Sequence, residues 1–290
     1  MLGTSASAPT KERGLSSAAI RYDGKIFLMD CGEGTQMQML KLGLNIYRIE
    51  GIFLTHIHGD HVIGIAGIAR TLSLYGKTSP LRIYIPKGYA KGISMLINFD
   101  NPIFKYKVEV IEVGSGKVYS DQKVQVSAFK LRHSVETYGY IFEEKKKPKF
   151  TIEAKRLGIR GKLFADIQKK GYLNINGKKI RMEDVSSTQN GRKIVYALDT
   201  RPSPSTIRAA NDADLLIHEA TYSKNEKKLA VERMHSTSEE AATVAKKAGV
   251  KRLILTHIST RYKEPEDNLK EARSVFKNCD IAKDGFKIVI

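Results

Sequence analysis

The sequence predicts an α/β fold. Short β-branched runs alternate with helical stretches, and several of those runs end in a histidine or a carboxylate. A strand is expected at Lys25–Asp30, where Ile26-Phe27-Leu28-Met29 runs into an acid, and another at Gly51–Leu54, which delivers Thr55-His56. Further strands are expected at Leu81–Ile85, Lys107–Val113, Lys123–Leu131, Tyr138–Phe142, Lys193–Leu198, Asp214–Ile217, Arg252–Leu255 and Phe286–Ile290. Helices are expected at Gly34–Leu44, Val62–Leu74, Gly88–Ile97, Ser205–Ala210, Ser238–Ala248 and Glu266–Phe276. Ser236-Thr237-Ser238-Glu239 supplies hydroxyl caps and acidic first-turn residues for the helix that follows, and Gly249 closes it.

With 290 residues the chain buries a large core. No run of eighteen apolar residues occurs, so no membrane-spanning helix is expected. The N-terminus lacks a basic segment followed by an apolar core, and nothing marks it for secretion. Cys31 and Cys279 are too few for a disulfide framework, which fits a reducing cytoplasm. The formal charge of +18 favours polyanionic partners, nucleic acid above all.

That charge is concentrated. Lys145 to Lys193 holds fifteen Lys and Arg against four acids, a net +11. Gly158, Gly161, Gly171, Gly177 and Gly191 break the α/β pattern there, so the segment reads as an excursion from the main domain. A small helix near Leu163–Lys169 and a hairpin around Asn176-Gly177 are expected to stiffen it. A solvated loop would need no such charge; a nucleic-acid arm does, because neutralised phosphates release their counterions.

The chain's seven histidines all sit in short polar motifs. The densest is Thr55-His56-Ile57-His58-Gly59-Asp60-His61. In extended backbone His56 and His58 point the same way and can grip one cation. Gly59 permits a turn, after which Asp60 and His61 face elsewhere, which suggests two metals. His133, Asp199 and His257 are the distant ligands available to complete the sites, with Asp199 as a bridging carboxylate. Imidazole and carboxylate donors suit Zn, with Mn or Fe also fitting. Gly51-Ile-Phe-Leu-Thr-His56 and Arg252-Leu-Ile-Leu-Thr-His257 share one design, as do the strand ends at Asp199 and His218-Glu219. Sites in open α/β sheets form beyond such carboxyl ends, so these four are expected on one rim. Asp30 is expected to orient a ligating histidine or cap a turn, Cys31 to be a small buried hydrophobe, and His218 to be structural or catalytic.

These motifs resemble the ribonuclease Z family of the metallo-β-lactamase superfamily. The resemblance covers Leu2-Gly3-Thr4, the loop Pro9-Thr10-Lys11-Glu12-Arg13, Asp30-Cys-Gly-Glu-Gly-Thr-Gln36 and the histidine cluster. It continues through Asp199-Thr-Arg-Pro202, His218-Glu-Ala-Thr221, His235-Ser-Thr237 and His257-Ile-Ser-Thr-Arg-Tyr262. Gly14 and Gly161-Lys162 depart from the family's Asn and Gly-Pro, and Met1 directly precedes Leu2, so a first strand there is short or begins upstream.

The resemblance implies a four-layer αββα sandwich over residues 1–290, interrupted by a protruding basic arm at 145–193. It implies two zinc ions per subunit: His56, His58 and His133 hold one, Asp60, His61 and His257 the other, and Asp199 bridges. It implies removal of 3′ trailers from precursor tRNA, leaving a tRNA 3′-OH and a trailer 5′-phosphate. Asp60 would hold or deprotonate the attacking water, His235 would protonate the leaving oxygen, and Glu219 would hold His235. Lys11 and Arg13 are expected near the acceptor-stem end, and Arg160, Lys162, Lys169 and Lys170 on the arm would grip the tRNA elbow through phosphates. The resemblance also implies a homodimer. A small-molecule phosphodiesterase or arylsulfatase-like hydrolase of the same superfamily would share the metal motif but has no use for the arm. The two readings differ in salt response: RNA cleavage is expected to weaken steeply with rising salt, while turnover of a small neutral ester stays level. Parallel salt titrations on the two substrates measure this, and equal responses would remove the nucleic-acid reading.

Overall fold

The run Ile26-Phe27-Leu28-Met29 is apolar on both faces of its strand because both faces are covered. Ile26 and Leu28 join a core beneath helices, while Phe27 and Met29 join a second core between two sheets. The computed structural model describes every residue but Asn101, and the side chains of all but Lys147, Thr188 and Gln189 besides. One sheet has five strands in the order Ala18–Tyr22, Lys25–Met29, Ile49–Phe53, Leu81–Pro86 and Val108–Val113. The other has seven, in the order Cys279–Ile281, Leu253–Thr256, Leu215–Glu219, Lys193–Ala197, Tyr138–Glu144, Val124–Lys130 and Gly116–Ser120.

Aromatic rings fill the space between the sheets. Phe53 stacks on Tyr84 at 4.5 Å, and Phe27 meets Phe142 edge-on at 5.1 Å. Helices Thr35–Lys41, Ile65–Leu74 and Ala90–Asn98 cover the five-stranded sheet, and Pro204–Ala210, Ser238–Ala248 and Glu266–Val275 cover the seven-stranded one. The result is the four-layer αββα sandwich. No helix among the described residues is long and apolar enough to cross a membrane.

Local chemistry accounts for the boundaries. Thr237 caps the helix Ser238–Ala248 in a reciprocal box with Glu240, and Gly249 ends it in the left-handed region at φ 64°. The helix expected over Val62–Leu74 is two pieces, Gly59–Val62 and Ile65–Leu74. Gly64 at the break lies so close to the Gly32 carbonyl that a Cβ would sit 2.2 Å from it, so the absence of a side chain there lets the helix dock on the Cys31-Gly32 loop.

The strand expected at Phe286–Ile290 does not form. Phe286, Ile288 and Ile290 pack on the inter-sheet core while Val289 is 97% exposed, so the alternation is real. No described strand pairs with the segment, however. It borders a cavity of about 780 Å³, and Cys279–Ile281 takes the sheet edge instead. The edge strands Ala18–Tyr22, Gly116–Ser120 and Cys279–Ile281 were not anticipated.

The basic segment leaves and re-enters the seven-stranded sheet on a two-stranded stalk, Lys147–Phe150 against Ser186–Gln189. Beyond the stalk stand the helix Lys162–Lys170 and the hairpin Tyr172–Ile175/Lys178–Arg181. Asn176 and Gly177 turn that hairpin with φ of 50° and 76°. Ala154, Ile159, Ile167 and Val185 form a core separate from those of the sandwich, packed by Phe150, Phe164 and Leu173. The arm thus has a core of its own. Ile167→Ala is expected to destabilise it by about 2–5 kcal/mol. Trypsin cleavage within the arm would then accelerate while the thermal transition of the sandwich moves little; a common shift of both would show that the arm and sandwich unfold together.

Candidate metal centre

The loops that follow the strands carry the chemistry. Asp30 follows Lys25–Met29 in the left-handed region at φ 57° and is fully buried. One of its oxygens accepts the Thr55 amide at 2.8 Å and the Thr55 hydroxyl at 3.0 Å. The other accepts the Tyr196 hydroxyl at 3.0 Å and His61 Nδ1–H at 2.9 Å. Asp30 therefore orients a histidine of the dense motif rather than capping a turn, and it joins both sheets.

Three overlapping groups of donors gather on this rim, and Asp199 belongs to two of them, the second with His235 and His257. His56, His58, His133 and Asp199 bring one ligand atom each within 4.8 Å of one another, and so do Asp60, His61 and His257. Asp199 Oδ2 lies 3.7 Å from His56 Nε2 and 4.0 Å from His133 Nε2. Its Oδ1 lies 3.6 Å from His61 Nε2 and 3.2 Å from His257 Nε2. Asp60 Oδ2 sits 3.6 Å from both His61 and His257, and accepts the Ser7 amide at 2.9 Å.

Outer hydrogen bonds set each ring. His56 Nδ1 meets the Thr55 hydroxyl at 3.0 Å, His133 Nδ1 the Met234 carbonyl at 3.1 Å, and His257 Nδ1 the Thr221 hydroxyl at 2.9 Å. With Nδ1 occupied, Nε2 faces inward on those rings, as on His61. His58 is reversed: its Nδ1 lies 2.9 Å from His56 Nε2. The Nε2 atoms of His61, His133 and His257 and Oδ1 of Asp199 are buried without a hydrogen-bond partner among the described residues. Buried polar atoms are normally paired, so this orphaned set fits divalent metal ions.

Charge follows the geometry. Burial and the imidazoles of His61 and its neighbours hold His56 well below the ordinary histidine range. Burial would lower His61 too, but Asp30 and Asp199 raise it well above that range. Burial alone would raise Asp199, yet His257 and His61 beside it hold it ionised.

Beside the clusters stands a second pair. His235 Nδ1 donates to Glu219 Oε1 at 2.9 Å, and its ring lies 5.1 Å from that of His133 and 5.4 Å from that of His257. Glu219 is buried and also accepts the Thr200 amide, the Ser236 amide and the Thr221 hydroxyl. Burial opposes ionisation, but His235 keeps Glu219 at about 2. Burial likewise opposes charge on His235, and Glu219 outweighs it, raising the imidazole to about 9.

The remaining residues divide. His218 packs buried and donates Nδ1–H to the Glu219 carbonyl at 2.7 Å, a structural contact. Cys31 is buried. Lys11, Arg160, Lys162, Lys169 and Lys170 are exposed. Arg13 departs from expectation: it is 8% exposed and donates Nη1–H to Thr4 and to the Ala282 carbonyl at 2.8 Å. It anchors its loop instead of reaching outward. The twin Thr-His units also differ. Thr55 serves His56, whereas Thr221, not Thr256, serves His257. The sequence does not show that Thr221 serves His257, the Met234 carbonyl His133 and Tyr196 Asp30, since only the fold joins these pairs.

The sandwich and this cluster define a metal-dependent hydrolase of the metallo-β-lactamase fold. The family model described as anti-Pycsar protein Apyc1 matches residues 1–155, and the β-lactamase superfamily domain matches 180–258. Ribonuclease Z of Methanothermobacter thermautotrophicus is 42% identical over 98% of this chain and 93% of its own length. Ribonuclease Z of Gemmatimonas aurantiaca is 41% identical over 99% of this chain and 94% of its own. The short form of human tRNase Z is 30% identical, with a TM-score of 0.71 over 99% of this chain and 97% of that one. The fold protein YhfI from Bacillus subtilis, 20% identical, shares the architecture with a TM-score of 0.72 over 98% of this chain and 95% of its own.

The chain belongs to the ribonuclease Z family. Asp30→Asn tests the frame beneath the site. It is expected to cost the metal-free protein about 3–5 kcal/mol, because His61 loses a buried charge partner. Metal affinity should fall about 10- to 100-fold. Denaturant melts and calorimetric metal titration read the two effects separately.

Proposed function

We propose that the chain is a zinc-dependent endoribonuclease that removes 3′ trailers from precursor tRNA. One juxtaposition carries the reading: a two-cluster metal centre with a Glu219-held imidazole beside it, on a sandwich that bears a basic arm. The names of its relatives support the substrate. His56, His58 and His133 would hold one ion, Asp60, His61 and His257 the second, and Asp199 would be shared. When bound, such ions acidify water and offset phosphate charge.

The chain's own residues do the rest. Asp60, fixed by the Ser7 amide, orients the attacking water and receives its proton. As the new O–P bond forms, the P–O3′ bond breaks and His235 passes its proton to the leaving 3′-oxygen. Glu219 keeps that imidazole charged until then. The products are a tRNA with a 3′-OH and a trailer with a 5′-phosphate. Arg160, Lys162, Lys169 and Lys170 contact duplex phosphates, which needs no base reading. Lys11 approaches the acceptor end, and Arg13 holds the loop that carries it. A homodimer is part of the proposal. Met37, Leu40, Ile63, Leu74, Tyr75 and Phe99 are exposed along the layer over the five-stranded sheet and offer a face for a second copy. The two free cysteines fit a cytoplasmic enzyme.

The deciding experiment is cleavage of an end-labelled, 3′-extended precursor tRNA, resolved to the nucleotide, beside a metal-stripped control and Asp60→Ala. A single cut beside the discriminator base, lost in both controls, is expected. Failure to cut RNA with metal-dependent hydrolysis of a small phosphodiester intact would favour the small-molecule reading. Neutralising the four arm residues should raise KM for precursor tRNA and flatten its salt slope by about one per lost phosphate contact, sparing a small phosphodiester. Glu219→Gln removes the carboxylate that raises His235, so the protonated form is lost at lower pH. The alkaline limb of the rate profile should therefore move downward; an unmoved limb would deny His235 the donor's part.

A further inference from the structure

His235 sits in a turn that is strained. Met234 before it adopts φ 61°, a conformation that a side chain tolerates only when its surroundings enforce it. Glu219 fixes the His235 ring, the Ala230 carbonyl accepts the His235 amide at 2.8 Å and His133 Nδ1 bonds the Met234 carbonyl at 3.1 Å, which leaves the His235 carbonyl for another group to hold. Arg201, two residues after Asp199, lies where it can. Its Nη1–H groups donate to the His235 carbonyl at 2.5 Å and to Glu240 Oε2 at 2.7 Å, and Nη2–H donates to Glu240 Oε1 at 2.5 Å. Its amide donates to the Arg132 carbonyl at 2.8 Å, beside His133. Glu240 in turn accepts the Thr237 amide at 3.0 Å as part of the helix cap.

The Arg201 and Glu240 side chains are 12% and 15% exposed, so the pair is largely shielded from water. An arginine this close to the metal cluster could be taken for a phosphate ligand. Its fork faces inward, however, onto Glu240 and the His235 carbonyl. We infer that Arg201 is a positioning residue, which, clamped by Glu240, holds the backbone of the Met234-His235 turn and so the imidazole against the leaving group. The inference rests on the reading of His235 as proton donor. Lysine cannot reproduce a two-pronged contact plus a third acceptor, so Arg201→Lys is a severe change despite its unchanged charge.

The test compares two substrates of unequal leaving group. The 3′-oxygen of RNA needs a proton to depart, whereas the nitrophenolate of bis(4-nitrophenyl) phosphate does not. Arg201→Lys is expected to lower kcat for precursor tRNA on the order of 10²-fold, with KM little changed, because a small misplacement suffices. Aryl ester turnover and bound metal should stay close to those of the parent. Glu240→Gln should show the same selectivity more weakly; glutamine still closes the helix cap, so this variant separates positioning from folding. His235→Ala runs in parallel. Equal losses on both substrates for His235→Ala would overturn the donor reading itself. A selective loss for His235→Ala together with equal losses, or metal loss, for Arg201→Lys and Glu240→Gln would overturn the inference about Arg201 alone.

Discussion

The Asp30 carboxylate is the constraint on which the centre depends. It is buried, ends a strand in a left-handed turn, and accepts four hydrogen bonds. Thr55 and His61 come from the loop after Ile49–Phe53 in one sheet, and Tyr196 comes from the other. One side chain therefore locks the two sheets together at the rim where the histidines gather. A buried carboxylate is tolerable only when its lone pairs are filled, and here they are. The same contact fixes which nitrogen of His61 remains for a metal.

Around that anchor the work is divided by element. The layered core makes the strand ends rigid, and the loops beyond them carry the donors. Thr55, Thr221 and Met234 turn three imidazoles inward, while Glu219 keeps a fourth charged at the margin. The clusters concentrate like groups that would repel or stay unsatisfied in an empty protein, which is the signature of a site shaped for ions. The arm stands apart on its stalk with its own small core. Its charge is therefore carried on a scaffold with a core of its own.

Much of this was legible because the signals are local. The hairpin at Asn176-Gly177 and the helix Ser238–Ala248 follow from turn and cap chemistry a few residues long. The donors around His56 and Asp199 stand at strand ends in the chain and meet at one rim in the fold. Misreadings arose where a local pattern needed a distant partner. Phe286–Ile290 alternates like a strand, yet no described strand pairs with it. Arg13 looks like a free surface arginine, yet Thr4 and the Ala282 carbonyl, from opposite ends of the chain, draw it inward.

By itself the sequence determined the α/β class, the two-directional histidine motif, the separate basic arm and the family resemblance. Each depends on spacing between near neighbours or on composition. Only the tertiary structure decided that Asp199 presents one oxygen to each cluster, that Asp30 serves His61, and that Arg201 grips the His235 turn. Those are contacts between residues from 31 to well over 100 positions apart in the chain. Chain spacing says nothing about such distances until two sheets have packed and brought their strand ends to a common edge.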